Sequence, residues 1–376
     1  MALEQKPSDL DPIGAIAAVE SDDEEQVVAL LEVPLWRIRL RLLWRGFKKN
    51  WSLFAENRIG LIGLFIIAVF AIMAIAHPIL MSTVWGGDNR EIYDPIIGYS
   101  AVVQEFTVVE EVTDPSTEIE LIDARFTNIN AKVGDTVQQP LQPAPPSRDH
   151  LLGTDPIGRD VLSQLMFSTR AAFFLGMVAA LVTVFIATTV GSVAAFFRGF
   201  VDSVLMRIAD LILLMPLIPI LIVIGGFWTI ELWQLGVIIG LLNGFGGVAI
   251  VLRSQALSVS VKPFVDAARV AGGSRWHLIF RHVVPNVLPL SFLYMMFGVT
   301  EAISLEAVLS FFGLLNVEMS WGLMISLAQA EGYLLRGFDV WWLLFPAGLA
   351  VTFLAAAFFL VGRAMDEVVN PRLRQR

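Results

Sequence analysis

The sequence predicts an all-α membrane protein with six transmembrane helices, and three observations indicate this class. Of the 376 residues, 56% are hydrophobic and only 16% are charged, whereas an ordinary soluble domain carries about 25% charged residues. The mean hydropathy of +0.69 indicates more apolar surface than a soluble chain of this size could bury or cover with its polar residues. Six stretches are apolar over about 20 residues, which is the length of helix that crosses a bilayer. Because helices satisfy their own backbone hydrogen bonds in lipid, these stretches are predicted to be helical.

The composition also excludes several classes of function. High hydrophobicity excludes both a typical soluble enzyme and a disordered scaffold. The chain has no cysteine, so disulfides, thiolate metal sites and cysteine nucleophiles are excluded. None of the five lysines follows a glycine, so the chain lacks the Gly-Lys-Ser/Thr loop that binds phosphate in ATPases. We expect neither a cofactor nor a metal in this chain.

The N-terminal region is predicted to contain an acidic tail followed by a basic helix. Residues 1–34 are expected to be a disordered cytoplasmic tail, because the first 32 positions hold nine acids and one base and such charge blocks stay solvated. Residues 35–58 mix tryptophans, arginines and lysines with apolar side chains. This mixture predicts an interfacial helix on the anionic cytoplasmic leaflet. Nucleic-acid binding is the alternative, which the adjoining membrane span disfavours.

The six apolar stretches divide into a first span and a core of five spans, separated by an outer insertion. The predicted spans cover roughly 59–80, 171–197, 209–228, 233–252, 286–312 and 340–362. The third and fourth contain prolines and glycines, which membrane helices tolerate where neighbours satisfy the freed backbone groups. The five-helix core is therefore predicted at 171–362, with a cytoplasmic loop at 254–285 and a C-terminal tail at 363–376.

The lysine and arginine distribution predicts the orientation in the membrane. Nineteen of the 26 lysines and arginines fall on the side of the two termini, and seven fall on the other side. Cytoplasmic loops carry the excess of positive charge, so both termini are expected in the cytoplasm. Residues 81–170 are then extracytoplasmic, and their strand-like pieces and proline-rich stretch predict a small, partly ordered insertion.

The loop between the fourth and fifth spans is predicted to form a compact helix–turn–helix. Ser260 or Val261 is expected to cap the first helix, with Pro263 in its first turn and Gly272 just past its end. A second short helix is predicted at 274–284, where a serine begins it and the following proline ends it.

The first of these helices has the features of a docking surface. Ala267, Ala268 and Ala271 are small enough for another surface to approach closely, and Asp266 and Arg269 are spaced to pair at i, i+3. A helical connector that packs on its own protein remains the alternative, and the residues alone favour neither.

The same loop resembles the cytoplasmic loop of ABC importer permeases. The resemblance rests on Asp266-Ala-Ala-x-x-x-Gly272 with Pro285 thirteen residues later. The family pattern opens with Glu-Ala-Ala, and Asp266 keeps the charge with one methylene fewer. The segments 150–161, 305–322 and 370–374 are similar to the C-type subunit of the dipeptide, oligopeptide and nickel permeases, and the resemblance covers roughly 35–80 and 148–376.

The resemblance implies a permease subunit without catalytic residues. It would be a multi-pass protein of the cell membrane, of bacterial or archaeal type. It implies four partners: a second homologous permease, two ATPase subunits that hydrolyse ATP, and an extracytoplasmic substrate-binding protein. Peptides are the substrate class that the resemblance favours, and sugars and nickel chelates, which other members of the subfamily import, are the alternatives. The residues implied to couple this chain to the ATPases are Asp266, Ala267, Ala268, Arg269, Gly272 and Pro285.

Acidic residues in two other places are further candidates. Glu301 and Glu306 lie in the fifth span, where an exposed charge costs about 2.5–3.5 kcal/mol, so each is expected to line a translocation path or to take part in helix packing. An outer motif is interpreted either as a contact with the binding protein or the second permease, or as a local turn. Its residues are Gly153, Thr154, Asp155, Gly158, Arg159 and Asp160. Asp210 is expected to pair with Arg207 at the membrane interface.

Two other functions compete with the importer. A secondary transporter would carry coupling ions on buried charges and would show internal repeats, and the sequence has no clear repeat. A membrane-embedded enzyme would need a convergent catalytic set, and the His-Glu-x-x-His motif is absent.

Overall fold

The computed structural model describes Trp44, Lys48 and residues 51–100, 103–107, 133–134, 136–140 and 142–369. These residues are mostly helical, as predicted. The predicted acidic tail at 1–34, most of the predicted interfacial helix and the end of the C-terminal tail lie outside the described residues. Positions 51–55, at the end of the predicted interfacial helix, are helical.

Helices account for most of the described chain, and the strands are short. The helices are α1 (Arg58–Ser82), α2 (Arg90–Tyr93), α3 (Val161–Phe197), α4 (Gly199–Leu214), α5 (Leu217–Phe227), α6 (Leu232–Phe245), α7 (Gly247–Ser260), α8 (Pro263–Val270), α9 (Arg275–Leu278), α10 (Val284–Phe311), α11 (Trp321–Ala330) and α12 (Trp341–Val369). Antiparallel strands β1 (Val103–Thr107) and β2 (Thr136–Pro140) pair within the insertion, and β3 (Ile230–Glu231) pairs in parallel with β4 (Leu315–Asn316).

Four helical stretches are long and apolar enough to cross a membrane. They are Arg58–Ser82, Val161–Phe197, Arg275–Phe311 and Tyr333–Val368. The pair α4 and α5 and the pair α6 and α7 also qualify together, but they bend by 81° and 44°. By length and composition, the described residues therefore include four helices able to cross a membrane, or up to six if each bent pair is one span.

The two bends occur at the proline and glycines of the predicted third and fourth spans. Met215 takes an extended conformation with ψ of 127°, as expected for a residue that precedes a proline, and Pro216 has no N–H to continue the helix. Gly246 adopts φ of −82° and ψ of −132°, which lies outside the regions favoured by residues with a Cβ. The breaks thus follow from backbone chemistry that a hydropathy pattern does not report.

The second helix of the loop at 254–285 does not stop before Pro285, so that prediction is wrong. Ser274 caps α9 as expected by accepting a hydrogen bond from the His277 N–H at 3.2 Å. A π-helical segment, Ile279–Val283, then carries the chain directly into α10. Pro285 has no N–H to donate within this continuous helix, and it lies just after the π-helical segment, where the regular i to i−4 hydrogen-bond pattern is already interrupted.

Helix α3 occupies the centre of the bundle, and α6 packs against it through a glycine ladder. Glycines four residues apart on α6 face branched side chains four residues apart on α3, so each pair lies one helical turn from the next. A Cβ on any of these glycines would lie 2.5–2.9 Å from the facing side chain. The pairs are Gly236 with Val178, Gly240 with Val182, and Gly244 with Ile186.

An ion pair joins α4 to α7 across the two bent helix pairs. Arg253 donates from Nε and Nη2 to the two carboxylate oxygens of Asp202, each at 2.5 Å, and both side chains are partly buried. In the described part of the chain Asp210 forms no ion pair with Arg207, contrary to expectation. Asp210 is exposed on α4.

Candidate functional site

Helix α8 is almost completely exposed. Val265 is its only buried residue, whereas Val270 is 89% exposed at its end. The start of the helix differs from the predicted one by two residues or fewer, because Lys262 is the N-cap and Ser260 instead ends α7. Lys262 is extended, with ψ of 146°, as the residue before Pro263 must be.

The face of α8 combines small side chains with an ion pair. Arg269 donates to Asp266 at 2.7 Å, which confirms the predicted i, i+3 pair, and both side chains are about half exposed. Ala267 and Ala271 are exposed beside this pair, and Ala268 is partly buried. Gly272 has φ of +83°, and its N–H donates to the Arg269 carbonyl at 3.1 Å. The surface is therefore nearly flat and charged at its edge, and the helix that carries it ends just before a glycine.

Aromatic side chains at the C-terminal end of α3 pack against this loop. The guanidinium of Arg269 lies 6.0 Å from the ring centre of Phe196, and that of Arg275 lies 5.9 Å from the ring centre of Phe197. Trp276 packs edge-on against Phe197. Sequence reasoning did not identify these contacts, because the loop and α3 are far apart along the chain. The cation–π contacts hold α8 and α9 against the end of α3.

The outer motif folds into a buried turn that precedes α3. Gly153 and Gly158 take positive φ values of +72° and +96°, and Thr154 bridges to Asp160. The carboxylate of Asp155 accepts hydrogen bonds from the Arg159 N–H at 2.9 Å and from its Nε at 2.7 Å. All six candidate residues of the motif are thus brought together, and the charges of Asp155 and Arg159 pair inside the turn.

Asp160 begins α3 ten residues before the predicted second span. Its carboxylate accepts from the Ser163 N–H at 2.7 Å and from His150 Nδ1 at 2.9 Å, and it is 1% exposed. A side chain that satisfies the free N–H groups at a helix start favours helix formation there. The other ring nitrogen of His150 then pairs with the Ser100 hydroxyl at 2.9 Å.

The turn is also tied to the insertion and to the last helix. Trp342 on α12 donates from Nε1 to the Thr154 carbonyl at 3.2 Å. On the insertion side, the Ser100 N–H donates to the Gly158 carbonyl at 2.9 Å, and Gln142 donates to the Ser100 carbonyl at 3.4 Å. These long-range contacts fix the stems of the insertion on the bundle.

Histidine and tyrosine side chains beside the turn were missed by sequence reasoning. His77 on α1 is buried, with Nε2 3.3 Å from the Ser163 hydroxyl, and that hydroxyl donates to the Tyr93 carbonyl at 2.6 Å. The Tyr93 hydroxyl donates to the Asp149 carbonyl at 2.6 Å. Burial, followed by the charges of Asp160 and Asp149, raises the pKa of the Tyr93 phenol, so the donating proton is retained.

Glu301 and Glu306 lie five residues apart on α10 and in different surroundings. Glu306 is 1% exposed and accepts from the Ser310 hydroxyl at 2.7 Å. Glu301 is exposed on the isolated chain and accepts from Asn243 Nδ2 on α6 at 2.9 Å. Glu301 and Asn243 both line a cavity of about 130 Å³. In the part of the chain that the structure describes, no three His, Asp or Glu side chains gather into a metal-binding group.

Comparison with known proteins identifies similar chains. The family described as "Binding-protein-dependent transport system inner membrane component" matches residues 187–375, half of the chain. The oligopeptide permease protein OppC of Bacillus subtilis is 32% identical, over 61% of this chain and 74% of its own. The dipeptide permease protein DppC of B. subtilis is 31% identical, over 62% and 72%, and OppC of Escherichia coli is 34% identical, over 60% and 73%.

A second family match falls on the outer insertion. The family described as "NusA N-terminal domain" matches residues 88–149, well under half of the chain, and no function follows from it. The larger match covers α4 to α12 with the exposed α8 loop between them, and it confirms the resemblance that the loop sequence indicated. The chain therefore belongs to the family of binding-protein-dependent transport system inner membrane components and is a membrane permease subunit.

Proposed function

We propose that this chain is the C-type permease subunit of an ATP-driven peptide importer, with both termini in the cytoplasm and six spans. The peptide substrate is supported by the names of OppC and DppC. The second permease, the two ATPases and the substrate-binding protein are supported by family membership. In this proposal each bent helix pair is one span, the third and the fourth, and the excess of lysine and arginine on the terminal side supports the orientation.

The exposed helix α8 is the observation that carries the coupling role. It is a helix of eight residues of which only one is buried, so most of its surface is free for another protein. The chain has no phosphate-binding loop of its own, so ATP energy must enter from a partner. We infer that Asp266, Ala267, Ala268 and Arg269 enter a groove of the ATPase subunit, with Gly272 and Pro285 shaping the loop behind them.

Coupling needs two arrangements of the bundle that the ATPases bind with different affinity. The supports of α8 suit this role, because Arg269 and Arg275 hold the loop against the end of α3. A displacement of α8 would therefore be passed to the central helix. The elements packed on α3 through the glycine ladder would follow.

Purification of the tagged chain from its host in mild detergent tests the proposal. We expect two ATPase subunits and one homologous permease to co-elute, with ATP hydrolysis raised by a peptide-loaded binding protein. Elution of the chain alone or as a homo-oligomer, without ATPase activity, would contradict the importer and favour a secondary transporter.

Substitution Gly272→Asp tests the coupling loop. It adds a Cβ at a φ of +83° and a negative charge beside the Asp266–Arg269 pair. We expect the complex to lose binding-protein-stimulated ATP hydrolysis and peptide uptake while the chain still reaches the membrane.

Gly332→Asp is the matched control for backbone strain. Gly332 follows α11 with φ of +77°, and a Cβ added at either glycine would meet no atom within 4 Å. The control therefore introduces the same side chain at the same kind of helix end on the proposed outer face. Equal losses in both variants, or normal uptake by Gly272→Asp, would refute a specific role for the loop.

A further inference from the structure

Both bent helix pairs place their breaks at a single cavity. The cavity, of about 130 Å³, takes Met215 and Leu217 from either side of the first bend and Gly246 and Gly247 from the second. Glu301 on α10 supplies its only charged group among the lining residues. Broken helices in transporters recur where a substrate or ion is held, because the interrupted backbone can line a cavity.

The position of Glu301 demands an aqueous or protein environment. It lies within α10 (Val284–Phe311), about 15 Å from the outer end at 1.5 Å per residue. A carboxylate facing lipid at such a depth is costly, and yet Glu301 is exposed on this chain. Glu306, by contrast, is buried and bonded to Ser310, so it needs no further partner.

The polar atoms around the cavity form a set of hydrogen-bond acceptors. Asn243 donates from Nδ2 to Glu301 Oε2 at 2.9 Å, and this bond orients both side chains. Within the described residues, the other carboxylate oxygen of Glu301 and the amide oxygen of Asn243 have no protein donor. A charged acceptor beside a neutral acceptor suits a cation that carries several N–H donors.

We propose that Glu301 and Asn243 bind the N-terminal ammonium group of a peptide during its passage through the membrane. This inference rests on the proposed function, since it assigns a contact in the same transport path. The remaining lining is apolar or glycine, so it leaves room for the peptide backbone without competing polar groups. The ammonium would displace solvent at Glu301 while the Asn243 bond persists.

The variant Glu301→Gln tests the charge without removing the interhelical bond. Glutamine still accepts from Asn243, so a purely structural role predicts no change in transport. The full complex is reconstituted in vesicles with saturating peptide-loaded binding protein, and peptide uptake per ATP hydrolysed is measured. We expect this ratio to fall about tenfold or more, because hydrogen bonds to charged groups are the strong ones, while stimulated ATP hydrolysis persists. Glu331→Gln, an exposed residue at the end of α11, is the matched control and should behave as the wild type.

A cysteine at Gly247 tests the cavity independently of Glu301. The chain has no native cysteine, and a Cβ at Gly247 meets nothing nearer than Leu213 Cδ1 at 3.4 Å. In the wild-type background we expect Gly247→Cys to react with a membrane-impermeant thiol reagent during turnover, and we expect peptide to slow the reaction. Ser310→Cys, at a fully buried position, should remain unlabelled.

The outcomes separate this inference from the proposed function. Wild-type uptake efficiency in Glu301→Gln would overturn the inference and leave the importer intact. If Glu301→Gln fails to assemble, Gly247→Cys decides, and an unlabelled or peptide-insensitive cysteine would overturn the inference. A wild-type complex that hydrolyses no ATP or takes up no peptide would instead refute the proposed function.

Discussion

Asp160 shows how much of this fold depends on the one carboxylate at the start of α3. It caps α3 through the Ser163 N–H, and it orients His150, whose other nitrogen reaches Ser100. Because Asp160 and His150 are both buried, loss of the carboxylate would leave the imidazole without its acceptor. The start of the central helix and the stem of the insertion therefore depend on the same side chain.

We predict that Asp160→Ala lowers the free energy of unfolding by about 2–4 kcal/mol, the sum of about 1 kcal/mol for a lost helix cap and about 1–3 kcal/mol for an unsatisfied buried donor. Thermal unfolding of the purified chain in detergent measures the change. Asp149→Ala, an exposed neighbour whose backbone carbonyl makes its contact with Tyr93, should shift stability by less than about 0.5 kcal/mol. Equal effects at both positions would contradict the role assigned to Asp160.

At the residue scale, local chemistry was predictable and long-range contacts were not. The Asp266–Arg269 pair and the Ser274 cap follow from spacing within one turn of helix. The partners of the outer turn, Ser100 and Trp342, lie many residues away on either side. No spacing rule connects such residues, so the turn could be proposed from its sequence but its anchors could not.

At the scale of elements, the close contact between α3 and α6 depends on glycines that occur once per turn. Small residues let membrane helices approach closely. Close van der Waals packing matters for their association, because lipid tails are as apolar as the side chains and give no hydrophobic driving force. A Cβ at Gly240 would lie 2.5 Å from Val182 Cβ and 2.9 Å from the Ala179 carbonyl oxygen. The helices would have to separate to accept it.

We predict that Gly240→Ala destabilises the bundle by about 1–3 kcal/mol, the usual cost of overpacking, despite the better helix propensity of alanine. Gly226→Ala on α5 is the control, because no atom lies within 4 Å of the added Cβ there. Denaturation of both variants in the same detergent compares them. A neutral Gly240→Ala would mean that α3 and α6 can move apart freely.

Hydropathy located the helices but not their bends. The first, second, fifth and sixth predicted spans fall on α1, α3, α10 and α12, because an apolar run of sufficient length is a direct requirement of the bilayer. Helix α3 nevertheless begins ten residues before the predicted second span. The third and fourth spans were predicted as single helices, whereas Pro216 and Gly246 divide them. Whether a helix stays straight or bends at a proline or glycine depends on neighbouring helices, which the sequence pattern does not specify.

At the scale of the whole molecule, the exposed ends of the bundle can be assigned to the two sides of the membrane by experiment. Val270 at the end of α8 is 89% exposed, and Leu335 between α11 and α12 is 93% exposed. The proposed orientation places Val270 in the cytoplasm and Leu335 outside. Because the chain has no cysteine, each position can carry a unique reporter.

We predict that Leu335→Cys reacts with a membrane-impermeant thiol reagent added to intact cells, and that Val270→Cys reacts only after the membrane is opened. The native cysteine-free chain is the background control. The reverse pattern would invert the orientation, and labelling of both from outside would leave α8 unable to meet a cytoplasmic ATPase.

The paired stems of the outer insertion have a practical consequence. Ser100 and Gln142 are hydrogen-bonded to each other, and Ser100 is anchored on the turn before α3. The free energy of closing a loop rises only with the logarithm of its length, so stems held side by side accept intervening segments of very different sizes. We expect the connection between β1 and β2 to accept an inserted fluorescent or affinity domain while the helical bundle keeps its architecture.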